Sequence, residues 1–218
     1  MRKPKSAYVG DAALKRLLQR YRCPAPFHVV RMRFWGAIAS PSAEISIITT
    51  MQRLWSNGPP EFAGVREANA FLRPMMSLWN ELTRYQDGSP KLELEKIGPI
   101  DTREKLHAAT KLRVEELYDG FFEGFTDGKA QFDVPQGTAK IVHRVERAIE
   151  ALATTRNTFA KPPRRDDEAI FAECAGAFPT IDAAVQDDLN AIAVAIKRWR
   201  AEGLDEMHTE HKDRGTLH

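Results

Sequence analysis

Tyr118-Asp119-Gly120-Phe121-Phe122-Glu123-Gly124-Phe125 holds two glycines one helical turn apart and two phenylalanines at the same spacing on the neighbouring face. Residues four apart meet on a helix surface, so Phe121 and Phe125 stack while Gly120 and Gly124 bare a strip of backbone. Glycine inside a helix costs about 1 kcal/mol relative to alanine, and two of them need a compensating gain. Close approach of a second helix supplies it through van der Waals packing. A phosphate-binding loop would need a preceding strand and a following lysine in P-loop position, and neither is present. The segment reads as a helix–helix contact, and Gly120, Phe121, Gly124 and Phe125 become candidates for packing or for partner docking.

Outward from this contact the same periodicity recurs. The helix that carries it starts at Asp101-Thr102-Arg103-Glu104, with acids in the first turn. It runs through Leu106, Ala109, Leu112 and Leu117 and stops at Asp127-Gly128. Upstream, Ala13, Leu14, Leu17, Leu18 and Tyr21 mark a helix over 11–21, ended by Cys23-Pro24-Ala25-Pro26. Residues 27–39 form a second, with Val30, Phe34 and Ile38 on one stripe and Met32 and Trp35 beside it. Ser40-Pro41-Ser42 ends it, and Ser42 suits the N-cap of a third helix carrying Ile45, Ile48, Leu54 and Trp55. Ser56-Asn57-Gly58-Pro59-Pro60 breaks the chain before a long helix over 64–86, kinked or split at Pro74. Its inward face is Ala68, Phe71, Leu72, Met75, Met76, Trp79 and Leu82. Residues 91–100 form an irregular connector, and 136–153 another amphipathic helix. Two closing helices over 167–177 and 180–201 meet at Phe178-Pro179, followed by a polar tail. The last carries Ile181, Ala184, Val185, Leu189, Ile192, Ile196 and Trp199.

The expected fold is all-α, an irregular bundle of about eight helices. Its divisions are a basic N-terminal helix or arm (1–26), a helical domain (27–155), a charged linker with a proline pair (156–168), and a C-terminal helical pair with tail (169–218). In 218 residues, 43% hydrophobic and 28% charged, a net charge of +2 excludes both a polycationic nucleic-acid coat and an acidic tail. No apolar run approaches the ~18 residues needed to span a bilayer. Cys23 and Cys174 stand too far apart in sequence for a disulfide framework. With no signal-peptide hydrophobic region, they point to the cytoplasm. The small total hides a gradient. Residues 1–33 hold nine Lys/Arg against Asp11 alone, +8, and the remaining chain carries −6. Lys15, Arg16, Arg20, Arg22, Arg31 and Arg33 could steer this segment toward RNA, anionic lipid or an acidic partner, or pack it on an acidic body.

Chemical motifs are sparse. Trp79-Asn80-Glu81 sets polar groups beside a core aromatic, where a buried Asn80 would fix helix register through hydrogen bonds. Glu104-Lys105-Leu106-His107 matches one Glu-x-x-His step of a di-iron bundle, which needs two such steps and two further glutamates. Asp205-Glu206-Met207-His208 lies in the tail with Glu210, His211 and His218, short of closed zinc ligation. No nucleophile elbow, zincin motif or Cys/His pairing occurs, so no catalytic residue, metal ligand or cofactor is assigned.

The order of features resembles the YecA/YgfB-like group of small bacterial helical proteins. Phe34-Trp35-Gly36-Ala37-Ile38-Ala39-Ser40-Pro41 is similar to that family's short Gly-Phe-Leu-x-Ala-Ile helix with its small residues and proline. Leu54-Trp55 and Glu61-Phe62 follow as its Leu-Trp and acid-Phe pairs do, and Leu78-Trp79-Asn80-Glu81-Leu82 resembles its Asn-Glu-Ile helix end. Residues 117–125 are similar to Trp-x-x-Gly-Phe-x-x-Gly-Phe, with Tyr118 displaced from the Trp position. The likeness covers about residues 27–155. The cysteine-rich metal-binding end of longer members has no counterpart, so their metal-linked and secretion- or ribosome-associated roles do not carry over. What the resemblance implies is an all-helical fold without established catalysis.

The functional expectation is a cytoplasmic, non-enzymatic protein-interaction module, an adaptor or regulator, with the Gly-Phe face and the closing helices as contact surfaces. The alternative is a nucleic-acid or ribosome-associated factor using the basic segment. A metal-binding bundle enzyme is the third.

Overall fold

Phe27–Ala39 is the helix on which the rest of the chain packs, and ten of its residues are buried. A helix apolar all round belongs at a centre, not on a rim. In the computed structural model, residues 7–42, 45–55, 58–127, 133–162 and 167–214 are described, with side chains described to residue 203. The elements are α1 (Asp11–Arg20), α2 (Phe27–Ala39), α3 (Ile47–Gln52), α4 (Val65–Leu82), α5 (Arg103–Val114), α6 (Glu123–Thr126), α7 (Gln136–Phe159) and α8 (Asp167–Arg214). A 3-10 turn, Thr83–Asp87, prolongs α4, and π-helical turns over Glu115–Phe122 join α5 to α6 in one rod. The protein is all-helical; no strand occurs among the described residues.

The rod crosses α2 backbone to backbone. A Cβ added at Gly36 would lie 2.0 Å from the Phe121 carbonyl oxygen, and one at Gly124 2.0 Å from that of Arg33. One at Gly120 would lie 2.6 Å from Met32 Cβ. Three glycines therefore allow an approach that any side chain would block. Phe34, Trp35, Phe121 and Phe125 fill the space beside the crossing and are fully buried. A single apolar core reaches from Leu14 and Leu18 of α1 to Ile192 and Ile196 of α8.

Several expectations are corrected. The closing pair is one helix, α8, with Pro179 inside it. The proline removes one backbone hydrogen bond, but Phe178, Val185 and Leu189 hold the helix on both sides by burial. α7 continues to Phe159, so the expected linker shortens at both ends. Ser46, not Ser42, caps α3: it accepts from the Thr49 N–H at 3.2 Å, while the Ser46 N–H donates to Thr49 Oγ1 at 3.1 Å. Met76 of α4 is 47% exposed, and Leu78 takes its inward place. Ala184 and Trp199 of α8 are exposed as well. Ser56-Asn57, Gly128, Pro163-Arg164-Arg165-Asp166, His218 and the basic Arg2, Lys3 and Lys5 lie outside the described residues, as do the side chains of the remaining tail motif.

The connector after α4 is irregular as expected, yet Leu92 and Leu94 are buried. Two amides on α8 hold it. Asn190 accepts from the Leu92 N–H at 2.8 Å and donates to the Leu92 carbonyl at 3.0 Å. Gln186 accepts from the Leu94 N–H at 3.0 Å. Side chains thus complete the backbone pairing that a neighbouring strand would otherwise supply.

Candidate functional site

Gly120, Phe121, Gly124 and Phe125 all face α2 and are buried. The phenylalanine rings stack at 5.5 Å between centroids and 16° between planes. Of the two uses open to this face, helix packing is the one it serves within the chain. Trp79 is half-buried, edge-on to Phe34 at 5.7 Å. Asn80 is half-buried beside it, and Glu81 pairs with Arg84 at 3.0 Å on the surface.

The basic residues divide into two groups. Arg31 donates to the Glu93 carbonyl at 2.8 Å. Arg33 donates to the Asp119 carbonyl at 2.7 Å and to the Arg53 carbonyl at 3.1 Å. These α2 guanidiniums therefore satisfy backbone oxygens, and among the described residues neither forms an ion pair. Lys15, Arg16, Gln19 and Arg20 form one exposed arc of α1, opposite the buried Leu14 and Leu18, with exposed Arg22 just beyond. Lys15 sits 5.5 Å from the Phe27 ring centre. Among the described residues, the arc's sole ion pair is Arg20 with Glu67, at 3.7 Å and with Arg20 69% exposed.

Two recesses flank Lys15 and Glu95. The first, about 360 Å³, lies between α1, α4 and the connector and mixes charges, with Asp11, Glu81 and Glu93 against Lys15, Arg31 and Lys96. The Tyr8 hydroxyl donates to Asp11 within it. Burial, then that bond, hold the phenol far above its ordinary range, so Tyr8 is a neutral donor already in use. The second recess contains Cys23 and His28. Burial pushes the Cys23 thiol up, against the lowered pKa a nucleophilic thiolate requires. His28 Nε2 lies 3.1 Å from Glu115, which fixes it to the rod.

The densest ionic cluster is internal, and sequence reading missed it. Arg113, 1% exposed, donates through Nε to Asp182 at 2.5 Å and through Nη2 to the same carboxylate at 3.1 Å. It also donates to Glu116 and, at 3.0 Å, to the Glu95 carbonyl. Glu116 is fully buried and accepts the Glu95 N–H at 3.3 Å. Burial holds its carboxyl above the usual glutamate range, with Arg113 opposing. The cluster ties the rod, the connector and α8 together. Its signal was available, since Arg113 falls seven residues after the buried Leu106, on the inward stripe of α5.

His107 of the Glu-x-x-His step bonds the Arg156 carbonyl at 3.1 Å, while Glu104 faces solvent. Among the described residues no three His, Cys, Asp or Glu side chains gather as a metal site. No described helix is long and apolar enough to cross a membrane. Comparison with protein-family models, with curated proteins and with solved structures finds no match.

Proposed function

We propose that this chain is a cytoplasmic, non-enzymatic interaction protein, an adaptor or regulator, whose basic face recognises an acidic surface of a partner protein. The observation that carries this reading is the cationic arc of α1, Lys15, Arg16 and Arg20, held on a rigid core-anchored helix and left almost without acidic partners. Clustered unneutralised charge steers encounter with an oppositely charged partner. The buried ionisable groups, by contrast, are locked to one another as scaffold. The motif order resembling the YecA/YgfB-like group supports the same class of protein.

Removing residues 1–26 is no clean test, because Leu14 and Leu18 belong to the core. The test is affinity capture from the producing cells with the wild-type chain and with K15E/R16E/R20E, before and after nuclease treatment. A partner protein that survives nuclease and is lost with the variant supports the reading. An unchanged captured set, with circular dichroism showing a folded variant, overturns it. Capture abolished by nuclease would establish the nucleic-acid alternative, whose affinity falls steeply with salt as phosphate contacts release counterions.

A further inference from the structure

A groove of about 680 Å³ runs between the π-helical stretch and α7. Its floor is Tyr118 and Phe122, four residues apart on the rod, with Ile149 of α7 behind them. Tyr118 is 58% exposed, an aromatic ring left largely in water. π-Helical turns are rare and collect at functional sites. Here they keep Gly120 and Phe121 against α2 while Tyr118 stands outside.

The edges of the groove are acidic. Glu123 stands on the rod side, Glu146 and Glu150 on the α7 side, and all three are exposed. Among the described residues, Glu123 and Glu150 have no ion-pair partner and Glu146 meets only His143, at 3.1 Å. Arg147 is the one Lys or Arg in the lining. Carboxylates four apart on one helix repel, so Glu146 and Glu150 cost stability in the free protein unless a cation lies between them. Along the rod, Glu115, Asp119 and Glu123 repeat the same spacing.

We propose that this groove docks a cationic amphipathic segment of a partner protein. An apolar anchor of that segment covers Tyr118 and Phe122, and its Lys or Arg side chains lie against Glu123 on one edge and Glu146 and Glu150 on the other. An apolar floor between like-charged edges is the complement of an amphipathic helix with oppositely charged flanks. A cation over the exposed face of Tyr118 adds attraction to the ring. The surface shares no residue with the α1 arc and has the opposite sign, so it goes beyond the function proposed above and can fail independently of it.

The test is fluorescence anisotropy with a labelled Lys/Leu peptide of about 16 residues, long enough to form a helix, with leucines four apart. A control peptide of equal charge carries serine at the leucine positions. The full chain is expected to bind the leucine peptide saturably. Y118S should weaken binding about tenfold, as loss of an aromatic anchor does. E146K/E150K should weaken it about tenfold through reversed edge charge, and K15E/R16E/R20E should leave it unchanged. Equal binding of the serine peptide, no saturable binding, or unchanged affinity in Y118S and E146K/E150K each overturns the proposal. So does sedimentation showing that the wild-type chain self-associates and that E146K/E150K dissociates it, because a second copy would then fill the groove.

Discussion

Gly124→Ala places one methyl group where the rod touches α2. The new Cβ would stand 2.0 Å from the Arg33 carbonyl oxygen and 2.8 Å from the Ala37 nitrogen, where ordinary contact begins at 3.4 Å. Both obstacles are backbone, so no rotamer change relieves them, and the crossing must open by about 1.4 Å. Gaps of 0.5–1 Å already forfeit roughly a quarter to a half of a dispersion contact. Phe34, Trp35, Phe121 and Phe125, all 0% exposed, are the side chains that would lose them. Alanine's better helix propensity returns about 1 kcal/mol. An overpacking cost at the top of its usual range, about 3 kcal/mol, exceeds it for a net loss of about 2 kcal/mol. At about 2–4 °C per kcal/mol for a chain of this size, Tm falls by roughly 4–8 °C in a circular-dichroism melt. Gly176→Ala is the matched control, since nothing lies within 4 Å of its Cβ position on α8. The propensity gain is then unopposed, and Tm rises by about 2–4 °C. G36A/G124A should cost less than the sum of its parts, because one opening accommodates both methyl groups. A Gly124→Ala chain melting at or above wild type would refute the reasoning.

Three further perturbations address the ionic cluster and the connector. Arg113→Leu leaves Glu116 buried without its cation and should cost about 3–5 kcal/mol in urea melts; a loss below 1 kcal/mol would mean that the cluster is not a structural tie. Glu116→Gln removes the titration; its single amide oxygen can accept only one of the two bonds that the carboxylate accepts from the Glu95 N–H and Arg113, a fixed cost that does not vary with pH. Because burial raises the folded carboxyl above its unfolded value, its stabilising contribution is full below the ordinary glutamate range and is lost as pH rises. The stability difference, variant minus wild type, should therefore increase between about pH 4 and pH 7, and a decrease would show Arg113 outweighing burial. Asn190→Ala strips both hydrogen bonds from the buried Leu92 backbone and should cost about 2–4 kcal/mol. Hydrogen exchange at the Leu92 amide should accelerate more than at Leu94, which keeps Gln186; equal acceleration would assign the effect to general loosening.

What was legible in the sequence was whatever short-range chemistry decides. Pro24, Pro26 and Pro41 fence α2 on both sides, and its bounds follow from them. α5 begins within the expected start Asp101-Thr102-Arg103-Glu104, where Thr102 caps it by accepting from the Lys105 N–H at 3.3 Å. The spacing of Gly120 and Gly124 announced a close helix contact without saying which helix. α8 escaped because the local rule at Phe178-Pro179 is a stop, and only the core on both sides of it makes continuation cheaper. Asn190 and Gln186 escaped because the backbone they serve lies 98 and 92 residues away, and an exposed-looking amide carries no mark of a distant partner.

The charge gradient shows the same limit. A segment of +8 ahead of a body of −6 suggests mutual neutralisation, and the side-chain contacts take another course. Arg31 and Arg33 bind carbonyl oxygens, which carry dipoles but no net charge, so both are ordered without an ion pair among the described residues. Arg113 engages two acids, the buried Glu116 and the half-buried Asp182, while Glu123, Glu146 and Glu150 on the rod's outer edge and α7 stay in water. The result is a cationic arc on α1 and an acid-edged aromatic groove beside α7, two surfaces of opposite sign on a chain whose total is only +2. A net charge near zero is thus compatible with strong local fields, because backbone oxygens compete for guanidiniums that carboxylates would otherwise hold.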